Sequence, residues 1–258
     1  MAELPDLTVF AQILKRRFKG KTLSKLDIKV VKKINVTGKE LAEALEGEKL
    51  LDVTREGKTL QLHFSGDQVL GLHLMLRGEL MLINENSEDP RFEIIALHFK
   101  GGEGFAVLDM QKMATPTLNP EKTTVPDALE MDYAYFSALM AKKKTLVKTV
   151  LMDQHVMRGI GNSYTDEILW HARISPFSVA KAVPEKELKK LFKSLKMVLE
   201  TAITDIAKEN GDELRGELRD FMKVHGAKLE KSPTGFEIKS EKIGGRTSYY
   251  TEEQELFL

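Results

Sequence analysis

The sequence predicts an α+β fold, with an antiparallel β-rich first half, a helical second half and a short hairpin near the end. Three observations predict it. Short alternating apolar runs recur between turn residues from about residue 49 to residue 108. Apolar residues at helical spacing dominate from about residue 133 to residue 209. Between the two regions, Pro116, Pro120 and Pro126 mark a change of composition.

Taken in order, residues 6–18 read as a helix. Leu7, Phe10, Ala11, Leu14 and Phe18 share a face, Pro5 sits just before it, and Gly20 closes it. Leu26, Ile28 and Val30 alternate as a strand. Thr37 and Glu40 have the spacing of a capping box for a short helix to about Leu45. Strands are expected at Lys49–Val53, Thr59–Phe64, Val69–Leu76, Glu79–Ile83, Phe92–Phe99 and Gly104–Leu108. The separators are Arg55–Lys58, Ser65–Asp67, Asn84–Arg91 and Gly101–Gly104. Many short strands at this spacing imply an antiparallel sandwich or barrel. Thr115–Asp127 reads as a linker. Helices follow at about Tyr133–Lys142, Thr145–Asp153, Ser163–His171 and Pro184–Glu209. Beyond Gly211 the chain turns polar, and Phe236–Ile238 is expected to pair with Thr247–Tyr250 as a hairpin.

A chain of 258 residues has room for two domains, each with its own core. With 42% hydrophobic and 30% charged residues, it is expected to be folded and soluble. No apolar run reaches the length that spans a bilayer. MAELPDLTVF lacks a basic segment followed by an apolar run, so no signal peptide is expected. The absence of cysteine excludes disulfides and thiolate metal sites, and the six histidines show no metal-ligand spacing. The formal net charge of zero argues against a non-specific DNA coat but leaves room for a local basic face.

The stretch Gln154–Pro176, QHVMRGIGNSYTDEILWHARISP, organises the second half. Gly159 and Gly161 bracket Ile160 in a tight turn. Ser163 and Asp166 have helix-start spacing, so the Ser163 side chain is expected to cap the next helix. The free N–H groups at such a start favour an anion, and the Asn162 amide adds a donor. On spacing alone, an ordinary helical hairpin remains the competing reading.

The wording goes further than the spacing. Asp153-Gln154, Gly159-Ile-Gly-Asn162, Tyr164, Asp166-Glu-Ile-Leu169 and Pro176 together resemble the helix–two-turn–helix segment of the formamidopyrimidine-DNA glycosylase / endonuclease VIII family. Glu3-Leu4-Pro5 matches the family's N-terminal motif. The resemblance runs from Glu3 to Arg246. It implies an N-terminal antiparallel β-sandwich flanked by helices, a helix–two-turn–helix domain and a finger hairpin. The expected boundaries are 1–115 for the catalytic β-sandwich, 116–128 for the linker, 129–210 for the DNA-binding helices and 211–258 for the finger.

The resemblance also assigns residues. The family's nucleophile is an N-terminal proline amine, and here Ala2 stands in its place. A bared Ala2 amine, with a reference pKa of roughly 7.7–8.0, keeps a neutral fraction able to form an imine. Glu3 is the implied proton carrier. A plain Met-Ala start is the ordinary alternative. Lys58, in Arg55-Glu-Gly-Lys58, matches a phosphate-binding lysine counted with the catalytic set. His73-Leu74 with Gly78 resembles the family's strand and turn, and His73 and Gly161 join the implied DNA contacts. Leu76 falls at a wedge that fills the gap left by a flipped nucleotide. Gln111 and Met113 stand where the family has a void-filling arginine and phenylalanine. Simple core packing is the alternative for Leu76 and Met113. Gly244-Gly-Arg246-Thr247 matches the finger hairpin, with Arg246 on phosphate. The finger's cysteine positions become Lys231, Thr234, Thr251 and Gln254, which make no zinc ligand set. A zincless finger held by packing of Tyr249, Tyr250 and Phe236 is therefore expected. The family's longer lesion-capping loop is cut to Met222-Lys223.

These readings imply a monomeric base-excision DNA repair glycosylase that acts on oxidised bases in damaged double-stranded DNA, with abasic-site lyase activity. No cofactor, metal or membrane partner is expected, and the expected place is the cytoplasm, with the chromosome. Loss of the N-terminal proline, the void-filling arginine, the capping loop and the zinc supports an alternative, a damaged-DNA-binding protein of the same fold that does not cut. A third reading, an RNA- or ribosome-associated hairpin protein, leaves Glu3-Leu-Pro5, Lys58 and Arg246 unexplained.

Overall fold

The computed structural model describes every residue except Asp89, which lies in the expected separator between two strands and outside the described residues. The chain divides into two compact units, one of residues 1–123 with 206–218, the other of residues 124–205 with 219–258.

In the first unit, helix α1 (Leu4–Phe18) starts two residues earlier than its apolar spacing suggests, with Pro5 inside its first turn. Proline costs no hydrogen bond there, because that N–H has no helical partner. Strands β1 (Leu23–Ile28), β6 (Glu93–Phe99), β7 (Glu103–Leu108) and β5 (Glu79–Asn84) form one antiparallel sheet in the order β1-β6-β7-β5. Strands β2 (Leu50–Glu56), β3 (Thr59–Phe64), β4 (Val69–His73) and β8 (Thr115–Leu118) form the other, in that order. Side chains of both sheets and of α1 share one core, including Phe10, Phe18, Leu50, Leu62, Leu97 and Phe105. Phe18 stacks on Phe99 at 4.7 Å between ring centres. The arrangement is a sandwich, not a barrel. Helix α2 (Gly38–Leu45) carries the expected capping box: Glu40 N–H donates to Thr37 Oγ1 at 3.2 Å, and Thr37 N–H donates to Glu40 Oε2 at 2.8 Å.

Four strand expectations need correction. β1 starts three residues before the Leu26–Val30 alternation and ends two residues short of it. β2 runs on to Glu56, three residues past Val53 and through the first half of the expected separator Arg55–Lys58. β4 stops at His73 instead of Leu76, because Met75 takes a φ of 56° and turns the chain. The stretch read as linker opens with β8, whose Pro116 is tolerated because β8 is an edge strand bonded only to β4.

In the second unit come α3 (Tyr133–Lys142), α4 (Val147–Met152), α5 (Asn162–Ala172), a 3₁₀ turn (Ala180–Ala182) and most of α6 (Glu185–Asn210). The hairpin is β9 (Lys239–Ile243) with β10 (Arg246–Tyr250), not Phe236–Ile238 with Thr247–Tyr250. Gly244 and Gly245, at φ 57° and 77°, make the two-residue turn that fixes this register. Phe236 falls outside the hairpin and is 47% exposed.

Candidate functional site

Seven of the expected site residues fall in the first unit. Ala2 is buried, with 4% exposure, and forms part of the wall of a cleft of about 670 Å³. Leu76, Arg77 and Glu217 line the same cleft. The amine of Met1 is ion-paired with Glu217. Glu3 is buried at the start of α1, where its N–H donates to Asp6 Oδ2 at 2.9 Å. Lys58 is 9% exposed and follows the turn at Gly57, whose φ of 58° favours glycine. Arg55 pins that turn to α1, donating from Nε to Thr8 Oγ1 at 2.9 Å and from Nη1 to Gly57 O at 2.9 Å.

His73 lies beside Lys58, since Thr59 pairs with His73 across β3 and β4. Burial, and next the positive charge of Lys58, hold its pKa below the ordinary histidine value. Its Nδ1 accepts the Met75 N–H at 3.0 Å. The neutral ring therefore carries its proton on Nε2, as a donor.

Leu76 and Met113 do not pack in the core, being 64% and 37% exposed. Gln111 is exposed as well. The loop holding Gln111 and Met113 is shaped by Asp109, which heads the stretch that resembles the family's motif and to which the sequence reading assigns no structural role. The buried Asp109 accepts N–H bonds from Gln111 at 2.8 Å, Met113 at 2.7 Å and Ala114 at 2.8 Å. An Asp directly after a strand, able to accept backbone N–H groups a few residues on, is the signal for such a turn.

The remaining three fall in the second unit. Gln154 shapes the glycine turn: its Nε2 donates to Ile160 O at 2.8 Å, and its Oε1 accepts the Gly159 N–H at 3.0 Å. Gly159 sits at φ 105°. Helix α5 starts at Asn162 with Gly161 as its N-cap, so Ser163 is not the cap. Asp166 turns inward instead of serving the helix start. Its Oδ1 meets the fully buried Lys148 at 2.5 Å, and its Oδ2 meets His225 Nδ1 at 2.7 Å and the Tyr249 N–H at 3.0 Å. The next residue, Glu167, accepts the N–H groups of Lys223, Val224 and His225. Burial is the first cause that shifts the Glu167 carboxyl, and it shifts it upward. Two consecutive carboxylates thus tie α5 to both the shortened loop and the finger.

Asn162 Nδ2 donates to Thr247 O at 2.8 Å, which sets it next to Arg246. Arg246 is exposed at the finger turn. The finger is not held mainly by aromatic packing. Tyr249 does meet the His225 ring and Tyr250 the Phe177 ring, each at 5.1 Å. Its centre, however, is Glu253. Glu253 Oε2 accepts from Thr234 Oγ1 at 2.7 Å, Thr251 Oγ1 at 3.1 Å and Trp170 Nε1 at 3.1 Å, and Arg173 reaches Oε1 at 3.2 Å. Thr234 and Thr251 are two of the four positions equated with zinc-binding cysteines. A third, Gln254, donates to Ile174 O at 2.9 Å. Among the described residues, no group of three or more His, Asp or Glu side chains is arranged to hold a metal ion. No helix among them is long and apolar enough to cross a membrane.

Comparison with known proteins gives a consistent result. Residues 1–115 match the family model described as the formamidopyrimidine-DNA glycosylase N-terminal domain, and residues 123–211 match its H2TH domain. The formamidopyrimidine-DNA glycosylase of Lactobacillus gasseri is 29% identical over 267 residues, covering 95% of each chain. That of Heliobacterium modesticaldum is 28% identical and covers 97% of this chain and 98% of its own. Among solved structures, the Lactococcus lactis protein in complex with abasic-site DNA superposes with a TM-score of 0.88, at 22% identity over 98% of this chain and 100% of that one. At that identity the superposition speaks for the fold alone.

Proposed function

The chain belongs to the formamidopyrimidine-DNA glycosylase family, and from that premise we propose that it excises an oxidised base from damaged duplex DNA and then cleaves the strand. The observation that carries the reading is the setting of the chain start: Ala2 walls a cleft shared with the exposed Leu76. A cleft of about 670 Å³ is roomy enough for a flipped base.

Removal of Met1 bares the Ala2 amine. That amine adds to C1′ of a nucleotide turned out of the duplex, the glycosidic bond breaks, and the base departs with a proton. Glu3 is the group proposed to move protons there. The C1′–O4′ bond then opens, the nitrogen giving up a proton and O4′ taking one, and the imine so formed makes the C2′ proton acidic; loss of that proton expels the 3′ phosphate. Leu76 fills the gap in the stack, with Gln111 and Met113 facing the orphaned base. Lys58 and the Nε2 proton of His73 hold the phosphates near the lesion. In the second unit Gly161, Asn162 and Arg246 hold phosphates too; Asn162 spends one amide N–H on Thr247 and keeps the other for DNA.

The same reading divides the chain into a catalytic domain to residue 115, a linker, DNA-binding helices from 129 to 210, and a finger without zinc. It describes a monomer that works on the chromosome in the cytoplasm. The non-cutting alternative is not favoured, since curated relatives spanning nearly the whole chain are named for glycosylase activity.

Borohydride trapping on abasic-site DNA tests the proposal, with the N-terminal mass measured on the same sample. Protein that starts at Ala2 is expected to trap covalently, and protein with a blocked α-amine is not. Trapping that survives the block removes Ala2 as nucleophile. Absence of trapping and of strand cleavage with a bared amine turns the case to the non-cutting binder.

A further inference from the structure

The cleft beside Ala2 carries four charged side chains, and two are already engaged. Glu217 holds the Met1 amine until Met1 is removed and has a further contact besides it, and Arg215 Nε donates to Glu213 Oε2 at 2.9 Å. The other two, Arg77 and Glu79, line the cleft with no hydrogen-bond or ion-pair partner among the described residues. They flank Gly78 and do not pair with each other.

The backbone beneath them is fixed. Met75 N–H donates to His73 Nδ1 at 3.0 Å, and Gly78 N–H donates to Leu74 O at 2.8 Å. A Cβ on residue 78 would lie 2.2 Å from Leu74 O, so the turn closes this tightly only with glycine. Glu79 opens β5 and pairs with Leu108 of β7. The turn therefore presents a guanidinium fork and a carboxylate acceptor from a rigid support.

Resting on the function proposed above, we infer that Arg77 and Glu79 read the edge of the damaged base. Arg77 donates to a ring carbonyl oxygen, and Glu79 accepts from the adjacent ring N–H. The substrate class is oxidised bases with a carbonyl next to a ring N–H, as in those derived from uracil, thymine or guanine. Bases derived from cytosine or adenine present the reverse pattern. Their amino group faces the guanidinium and their bare ring nitrogen faces the carboxylate, so both contacts become unfavourable.

Matched duplexes test this, one carrying 5-hydroxyuracil and the other 5-hydroxycytosine opposite the same base. A second pair carries ring-opened guanine and ring-opened adenine, and an abasic duplex serves as reference. Two hydrogen bonds of this kind discriminate by about 10- to 100-fold in kcat/KM. The parent enzyme is expected to prefer 5-hydroxyuracil and ring-opened guanine by that factor. Arg77→Met and Glu79→Gln are each expected to bring the ratio within about threefold of one, whatever their absolute rates. The inference is overturned by a parent ratio near one or reversed, by ratios unchanged in both variants, or by an enzyme that cuts abasic DNA but none of the four bases. A parent that cuts nothing, abasic DNA included, overturns the proposed function with it.

Discussion

His73 sits between a positive neighbour and a protein interior, and both push its proton off. The folded ring binds a proton more weakly than the unfolded chain does, so the unfolded state gains protons first on acidification. The stability this residue contributes is complete above the ordinary histidine value of about 6.5 and drains away as pH falls below it. His73→Asn keeps an acceptor for the Met75 N–H but cannot titrate. Between about pH 7.5 and about pH 5.5, the parent's Tm is expected to fall further than the variant's. His171, also lowered first by burial, and Glu167, raised by burial, remain in both proteins and drop out of the difference. Equal slopes would mean that His73 is charged in the folded state. Asp166 makes a stronger claim. It and Lys148 have no exposed side-chain surface, so removing the carboxylate breaks a charge pair inside the protein. Asp166→Ala is expected to cost about 3–5 kcal/mol by urea unfolding. A loss under about 1 kcal/mol would show that Lys148 does not depend on Asp166 for its charge to be met.

The finger is built around a single side chain. Thr234, Thr251, Trp170 and Arg173 all converge on Glu253. Glu253→Ala removes the acceptor these donors share, and hydrogen exchange of residues 231–251 is expected to speed up while β2–β4 keep their protection. Chelators are expected to leave Tm and DNA binding unchanged, because Lys, Thr, Thr and Gln offer a metal no thiolate or imidazole. A chelator-induced fall in Tm, or zinc found by elemental analysis, would return the finger to metal. Much of this was legible in the sequence. Apolar alternation located most strands, and Gly159, Gly161 and Asn162 located the helical turn. The missing part depended on contacts between residues far apart in the chain. Asp166 has the spacing of a capping residue, and nothing local reveals that Lys148 and His225 claim it. Glu253 lies in an ordinary polar run, and its importance comes from Trp170 and Arg173, some eighty positions earlier. Leu76 and Met113 fit an apolar pattern that left core packing open beside the wedge the resemblance implies, and the turns at Met75 and Asp109 are what face them outward.

At the scale of the whole molecule, 39 basic and 39 acidic residues leave no net charge to draw a polyanion from a distance. Affinity for DNA must then come from a few local contacts, and salt dependence counts them. Each phosphate neutralised by a protein cation lowers the slope of log K against log salt by about 0.9 for duplex DNA. Arg246→Gln and Lys58→Gln are each expected to flatten that slope by about 0.9 on an abasic duplex. Asn162→Ala removes a neutral donor, so it is expected to weaken binding by a similar factor at every salt concentration and leave the slope alone. Fluorescence anisotropy from about 50 to about 300 mM salt separates the two behaviours. An Arg246 variant with the parent's slope would show that its guanidinium, exposed at the finger turn, does not neutralise a phosphate. An Asn162 variant with a shallower slope would show that losing this amide also displaces a cation, and its bond to Thr247, next to Arg246, makes Arg246 the one to examine.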